Sequence, residues 1–372
     1  MSRIYPEITP GLNSVQAINA LGWEDSHRAL QFIDWLSSLV QRHGLLIDTV
    51  KSASADASFR RYFRIHSDSR SFILMDAPPD KENCQSFADI ALLMLNAGLR
   101  VPRVLDWHVT HGFMLLDDMG SQTMMQFFAD TGTVQRLSLF EQATDALVSW
   151  QQSSAPGILP AYDEALLRRE LTLFEQWYIN GYRQLSLNPQ QQTDLYRVYD
   201  RLVETNLYAP LVYVHRDFMP RNLMVSDDIT DTRLGLLDFQ DAVYGPITYD
   251  IASLMRDAFM SWDEEFCLDI TVRYWHKARA AGLMDFEDWG TDFGAFYRAV
   301  EWMGLQRHLK VAGIFARLSL RDHKPKYLAD TPRFIGYIRS TASRYRELFP
   351  LLRLIDHIEG SSPAVSYAFG RV

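Results

Sequence analysis

The chain has 372 residues, 47% of them hydrophobic and 22% charged, and a net charge of −9. That length exceeds one ordinary core and points to two lobes or domains. The acidic balance argues against a general nucleic-acid or anionic-membrane surface, while leaving room for a local basic pocket that takes a small anion.

The N-terminus lacks the basic-then-apolar order of a signal peptide, and no apolar run reaches membrane length, so a cytoplasmic protein is expected. Cys84 and Cys267, with no metal-ligand spacing around them, read as two reduced core thiols. Residues 1–20 show no strong period. Helical spacing then begins: Ala29, Leu30, Ile33, Leu36, Leu39 and Val40 share a face, Asp25 or Ser26 can cap the start, and Gly44 follows the end. The runs LLIDTV, FRRYFRIH and SFILMD predict short strands. A helix is expected from Asn83 to Ala97, with Phe87, Ile90, Leu93 and Met94 on one face and Gly98 at its end. VPRVLDWHVTHGFMLLDDMG then reads as two strands about a turn near His111 and Gly112.

Beyond Gly120 helices dominate, predicted near 134–151, 163–185, 189–206, 248–258, 263–281, 290–312 and 331–346. The β-like pieces LVYVH, NLMVS and RLGLLDF cluster between residues 211 and 239. The expected fold class is α+β and bilobal. Residues 1–116 would form a small antiparallel β-sheet lobe with one inserted helix, and residues 117–372 a large, mainly helical lobe carrying one β-hairpin.

The chemistry concentrates in YVHRDFMPRNLMVS, residues 213–226. Phosphoryl transfer needs an acceptor hydroxyl held in line, Mg²⁺ across the nucleotide phosphates and a carboxylate to take the hydroxyl proton. Asp217 suits the carboxylate role, and Asn222 and Asp238 offer the oxygens this hard cation prefers. Chance would place a His-x-Asp-x₄-Asn run in this composition about 0.02 times. A Leu-Leu-Asp-Phe strand end 21 residues after Asp217 and Asp250 in GPITYDIASL make coincidence rarer still. The competing reading is a polar loop whose aspartates only cap turns.

This loop resembles the catalytic loop shared by protein kinases and the aminoglycoside phosphotransferase superfamily of small-molecule kinases. LLDFQDAVYGPITYDIASL is similar to the small-molecule branch, because no long activation loop ending in Ala-Pro-Glu follows Asp238. The resemblance gives His215 and Asp250 the task of supporting the loop, Asp250 also being placed to cap the helix after it. SADASFRRYFRI, FILMDAPP, HRDFMPRNLM and KPKYLADTPRFIGYI are further similar to bacterial N-acetylmuramate/N-acetylglucosamine 1-kinases, over about residues 20 to 345. These enzymes of cell-wall peptidoglycan recycling phosphorylate the anomeric hydroxyl of amino sugars. The resemblance therefore implies an ATP- and Mg²⁺-dependent sugar kinase with a small-molecule partner, no nucleic acid and no membrane.

Two departures stand out. The phosphate loop, SADASFRR, has no glycine, so Ser58, Phe59 and Arg60 are the nucleotide-binding candidates, through backbone amides and side chains. Met75 stands where a phosphate-gripping lysine is usual, with Lys51, Arg60, Arg61, Arg64 or Lys81 as substitutes. With no lysine there, Glu82 is expected to be a solvated charge at a helix start. FMLLDDMG reads as the hinge, where the backbone of Leu115, Leu116 and Asp117 would meet the adenine edge. Asp241, Tyr244 and Arg307 are acceptor candidates, and for an acceptor carboxylate Arg256 and His308 stand beside Arg307. Trp262, Trp289 and Trp302 read as core. Met75 and the glycine-free loop would suit a nucleotide-binding pseudokinase; intact Asp217, Asn222 and Asp238 oppose it. Kinases of choline, homoserine or aminoglycosides are the other enzyme readings.

Overall fold

Helix α1 (Ser26–His43) begins where the Asp25 side chain accepts from the His27 N–H and ends at Gly44, whose φ of 63° stops it. The computed structural model describes residues 21–360 except 24, 56–58, 131–132 and 229. After α1 come β1 (Leu45–Ala55), β2 (Arg61–Ser67) and β3 (Ser71–Asp76), then α2 (Cys84–Asn96), β4 (Val104–His108) and β5 (Phe113–Asp117). The five strands form one antiparallel sheet in the order β1-β2-β3-β5-β4. Alternation puts Phe63, Ile65, Phe72, Leu74, Phe113 and Leu115 on one face, against Phe32, Trp35, Leu36 and Leu39 of α1. Phe32 and Trp35 meet Phe113 at ring-centroid distances of 5.3 and 5.4 Å, which fixes where the helix crosses the sheet.

The remaining elements are largely helical: α3 (Met124–Asp130), α4 (Thr133–Gln152), α5 (Glu164–Leu173), a π-helical run (Phe174–Tyr182) and α6 (Pro189–Tyr208). Next come β6 (Leu211–Val214), a 3₁₀ turn (Pro220–Asn222), β7 (Leu223–Met224), β8 (Gly235–Leu236) and β9 (Val243–Pro246). The chain finishes with α7 (Thr248–Met255), α8 (Glu264–Ala280), α9 (Phe293–Leu320), α10 (Thr331–Arg344) and α11 (Phe349–Glu359). Helix α9 is buried on every side between Val300 and Leu309, as the central helix of a bundle must be. Gly313 lets it approach the junction of α5 and the π-helical run, because a Cβ there would lie 2.4 Å from the Leu173 backbone.

The described residues divide into two units: one runs to Gln122 and includes Met224–Gln240, and the other holds Thr123–Leu223 and the chain from Asp241. The boundary expected after residue 116 falls inside β5, which is paired along both edges. The segment Met224–Gln240, expected in the helical part, belongs with the β-rich unit. Val225 N–H donates to Gln122 O at 3.0 Å, and Leu236 N–H to Arg100 O at 2.8 Å. The single hairpin expected between 211 and 239 is instead two ladders, β7 with β8 and β6 with β9. Helices α3 and α11 lie in stretches where the sequence predicted none.

Candidate active site

In the helical unit, β6 and β9 pair from Leu211–Pro246 to Val214–Val243 and deliver the chain to His215. Asp250, in the first turn of α7, takes the His215 N–H at 2.7 Å and the Arg216 N–H at 3.0 Å. Arg216 has a φ of 74°, a left-handed conformation that costs about 1 kcal/mol or more for a residue with a side chain. The two bonds to one buried carboxylate hold it there. Burial pushes the Asp250 carboxyl up to about 7, against the pull of those two amides and of Arg307.

The Arg216 guanidinium donates to Glu170 Oε1 at 2.7 Å, and Lys310 Nζ sits 2.9 Å from the same oxygen. Lys310 also donates to the Tyr249 hydroxyl at 3.0 Å, and the Tyr162 hydroxyl donates to Glu170. Burial works to raise the Glu170 carboxyl, but Lys310 and Arg216 prevail and hold it below its ordinary value. Sequence reasoning missed Glu170, Lys310, Tyr162 and Tyr249, whose link to the loop spans distant segments. At the loop's far end Asn222 Nδ2 donates to Asp217 O at 2.9 Å, tying the acidic residue to the candidate metal ligand five positions on. The neighbouring Arg221 guanidinium lies 4.5 Å above the Phe259 ring.

In the β-rich unit, Asp238 follows β8 with a φ of 65° and accepts from Gln240 Nε2 at 2.9 Å. Its flanks are anchored to α2: Phe239 meets Phe87 at 4.9 Å, and Ser86 Oγ donates to Gln240 O at 2.8 Å. Asp217 and Asp238, the two carboxylates of the expected chemistry, thus belong to different units, and each is carried on braced backbone.

The cations weighed as substitutes for the lysine absent at Met75 are mostly paired. Met75 is fully buried and paired opposite Tyr62 and Met114 within the sheet. Asp76 claims Arg28 at 2.5 Å and Arg61 at 2.6 Å, while Arg64 is held by Asp118 at 2.6 Å. Arg60, buried, pairs with Glu82 at 2.8 Å, and Glu82 also accepts the Phe59 N–H at 3.1 Å. Glu82 is therefore not the solvated charge expected of it; it is mostly covered and paired with an arginine just before β2. Ser58 lies outside the described residues. The Phe59 ring is 64% exposed.

Leu115 and Leu116 sit inside the ladder between β3 and β4, so their peptide groups serve the sheet and not an adenine edge. Asp117 ends β5 and donates its N–H to Arg103 O at 3.1 Å. Asp241 is exposed, its carbonyl accepting from Arg216 Nη1 at 3.5 Å. Tyr244 is set in β9 with its ring 6.4 Å from Tyr213. Arg307 is buried in α9 above Tyr249. Both cysteines are free, buried thiols. Trp289 and Trp302 are buried, and Trp262 packs edge-on against Phe128 and Phe140.

A braced His-Arg-Asp loop, an asparagine tied back to its aspartate and a separate acidic turn after a short strand define a kinase-like phosphotransferase. Residues 49–290 match the phosphotransferase enzyme family, and the chain belongs to it. It is 46% identical over 315 residues to the N-acetylmuramate/N-acetylglucosamine kinase of Pseudomonas aeruginosa, covering 84% of this chain and 89% of that one. With the enzyme of the same description from Neisseria meningitidis serogroup B it is 44% identical over 337 residues, 90% of this chain and 96% of that one. Among solved structures, Plasmodium vivax ethanolamine kinase has a TM-score of 0.56 at 10% identity, covering 94% of this chain and 97% of the other. The ADP-bound aminoglycoside phosphotransferase APH(2'')-Ib gives 0.53 at 13% identity, covering 82% and 97%. At such identities the structural likeness concerns the fold. No helix among the described residues is long and apolar enough to cross a membrane.

Proposed function

We propose that the protein is an ATP-dependent kinase that phosphorylates the anomeric C1 hydroxyl of N-acetylmuramate and N-acetylglucosamine, in the cytoplasm, as a step of peptidoglycan recycling. The observation that carries this reading is the 44–46% identity, over most of both chains, to kinases described by those two sugars. Asp217 orients the C1 hydroxyl and takes its proton as the bond to the γ-phosphorus forms and the bond to the ADP oxygen breaks. An anomeric hydroxyl is more acidic than an ordinary alcohol, so the transfer to Asp217 comes late.

Asn222 and Asp238 would hold Mg²⁺, since an amide and a carboxylate oxygen are the donors this hard cation prefers. A bound divalent ion would supply charge neutralisation to the nucleotide phosphates. Arg60, oriented by Glu82, stands in for the lysine absent at Met75, an arrangement that favours an active kinase over a pseudokinase. The nucleotide is held through Arg60 and the strand end beyond Asp117.

ADP release measured with ATP and Mg²⁺ across N-acetylmuramate, N-acetylglucosamine, glucosamine, choline, homoserine and kanamycin tests this reading. Turnover with the two N-acetylated sugars, abolished by methylation of the anomeric oxygen, is expected. Turnover with choline, homoserine or kanamycin alone would replace the substrate while keeping the loop chemistry.

A further inference from the structure

N-acetylmuramate differs from N-acetylglucosamine by a lactyl ether that ends in a carboxylate. An enzyme acting on both must receive that charge when it is present and tolerate its absence. Three cations in the helical unit were candidates. Arg256 is committed, with Nη2 2.7 Å from Glu264 and Nη1 donating to Cys267 Sγ at 3.3 Å. His308 is neutral, because burial and the nearby Arg307 pull it down to about 3. Arg307 is different. It is 5% exposed, it donates no hydrogen bond to any described residue, and its Nε is enclosed without a partner.

A buried guanidinium normally has its donors filled, because leaving them empty is costly. Here the guanidinium carbon lies 4.8 Å from the centre of the Tyr249 ring. Asp250 and Asp257 are the carboxylates that feel its charge, and neither forms an ion pair with it. Asp257 is itself half-served: Oδ1 accepts the Phe259 N–H at 3.1 Å, while Oδ2 is enclosed without a partner. An unfilled donor and an unfilled acceptor thus lie in one buried region.

That region adjoins the catalytic loop at both ends. Tyr249, under Arg307, directly precedes the Asp250 that pins His215 and Arg216. Phe259, bonded to Asp257, carries the guanidinium of Arg221, next to Asn222. Arg307 is thus linked to the segments that hold the loop, through Tyr249 and Asp250 on one side and Asp257 and Phe259 on the other.

We propose that Arg307 is the specificity residue for the anionic acceptor. Its guanidinium takes the lactyl carboxylate of N-acetylmuramate, while N-acetylglucosamine leaves that interaction unmade; this deepens the substrate reading above and rests on it. A paired, charge-assisted contact in a water-poor site discriminates by about 10- to 100-fold.

The test compares kcat/KM for N-acetylmuramate, its neutral methyl ester and N-acetylglucosamine, using the wild-type protein, Arg307→Lys and Arg307→Gln. Esterification is expected to cost the wild type about 10- to 100-fold and Arg307→Gln almost nothing further. The ratio of N-acetylmuramate to N-acetylglucosamine should fall by the same factor in Arg307→Gln and by less in Arg307→Lys, which keeps the charge. If acid and ester are used equally by the wild type, a measurement that needs no variant, the proposal is overturned. Both sugars falling in step in the variants would also overturn it and make Arg307 a packing residue. A wild type that phosphorylates neither sugar overturns the substrate reading first and this proposal with it.

Discussion

The two units hold their reactive groups by opposite means. In the helical unit the catalytic loop is fixed through its backbone by a carboxylate 34 and 35 positions away, and through Arg216 by Glu170, 46 positions away. In the β-rich unit Arg60, the proposed phosphate-side cation, is held through its side chain, in a pair with Glu82. Backbone pinning demands particular residues at particular places, since both amides of a left-handed turn must find one acceptor. A side-chain pair demands only that a cation and a carboxylate face each other, so on the proposed reading the cation can stand just before β2 and not on β3. The difference explains why the loop keeps a recognisable spacing while the phosphate grip departs from it.

The sharpest way to break the comparison is to remove the chemistry from a loop left in place. Asp217→Asn keeps the volume and loses the base, and kcat is expected to fall about 10²- to 10⁴-fold. Nucleotide affinity, read by calorimetry with ATP and Mg²⁺, should stay within about threefold. Unchanged turnover would take Asp217 out of the mechanism. Asp250→Asn comes next. An amide can accept one of the two N–H groups but turns an NH₂ toward the other, so Arg216 loses a support it needs at a φ of 74°. Loss of one charge-assisted bond and displacement of the loop by a fraction of an ångström should lower kcat about 10- to 100-fold. A KM effect without a kcat effect would mean that Asp250 acts on the acceptor site and not on the loop.

The β-rich side should respond in the other parameter. Arg60→Met is expected to raise the KM for ATP by about tenfold or more, and Glu82→Gln by less, since the arginine remains but is no longer aimed. If the pair acts as a unit, the double variant should resemble Arg60→Met and not the product of the two single effects. Independent, multiplying effects would show that Glu82 serves the sheet and that Arg60 reaches the nucleotide without it.

Legibility in the sequence follows the same division. Helix α1 was readable because Asp25 and Gly44 bracket a periodic stripe, and the β-rich runs and α2 because strand alternation and caps are local signals. The order and spacing of Asp217, Asn222 and Asp238 drew notice because they match what phosphoryl transfer asks. His215 and Asp250 entered through the resemblance, and the two amide bonds into Asp250 are visible only in the fold. Glu170 and Lys310 were not, since their only signature is a three-dimensional meeting of α5 with α9. Glu82 was misread because its partner was sought on β3, where Met75 stands, and not just before β2. The pairing of β6 with β9 was missed because Val243–Pro246 is too short to show alternation.

The smallest expected effect sharpens the comparison on stability. His308, fully buried, donates from Nε2 to Arg256 O at 3.4 Å and stacks on Tyr337 at 4.8 Å. Burial, helped by Arg307 and Arg256, pulls it from an ordinary 6.5 down to about 3. Between those values the unfolded chain binds a proton that the folded protein refuses, so stability from this group is full above 6.5 and is lost as the pH falls. Asp250 and Asp257, pushed up to about 7 and about 6 by burial, run the other way: the folded protein keeps protons there that the unfolded chain releases. They gain stability over the same acid range and mask the histidine in a simple pH scan. His308→Gln removes only the histidine contribution and keeps a donor for the Arg256 carbonyl. Urea unfolding of both proteins from pH 7 to 4.5 should show the variant gaining on the wild type by up to about 1.4 kcal/mol per pH unit below 6.5. A difference that stays flat across that range would mean His308 is protonated in the fold, and the neutral ring that leaves Arg307 as the available cation would be lost with it.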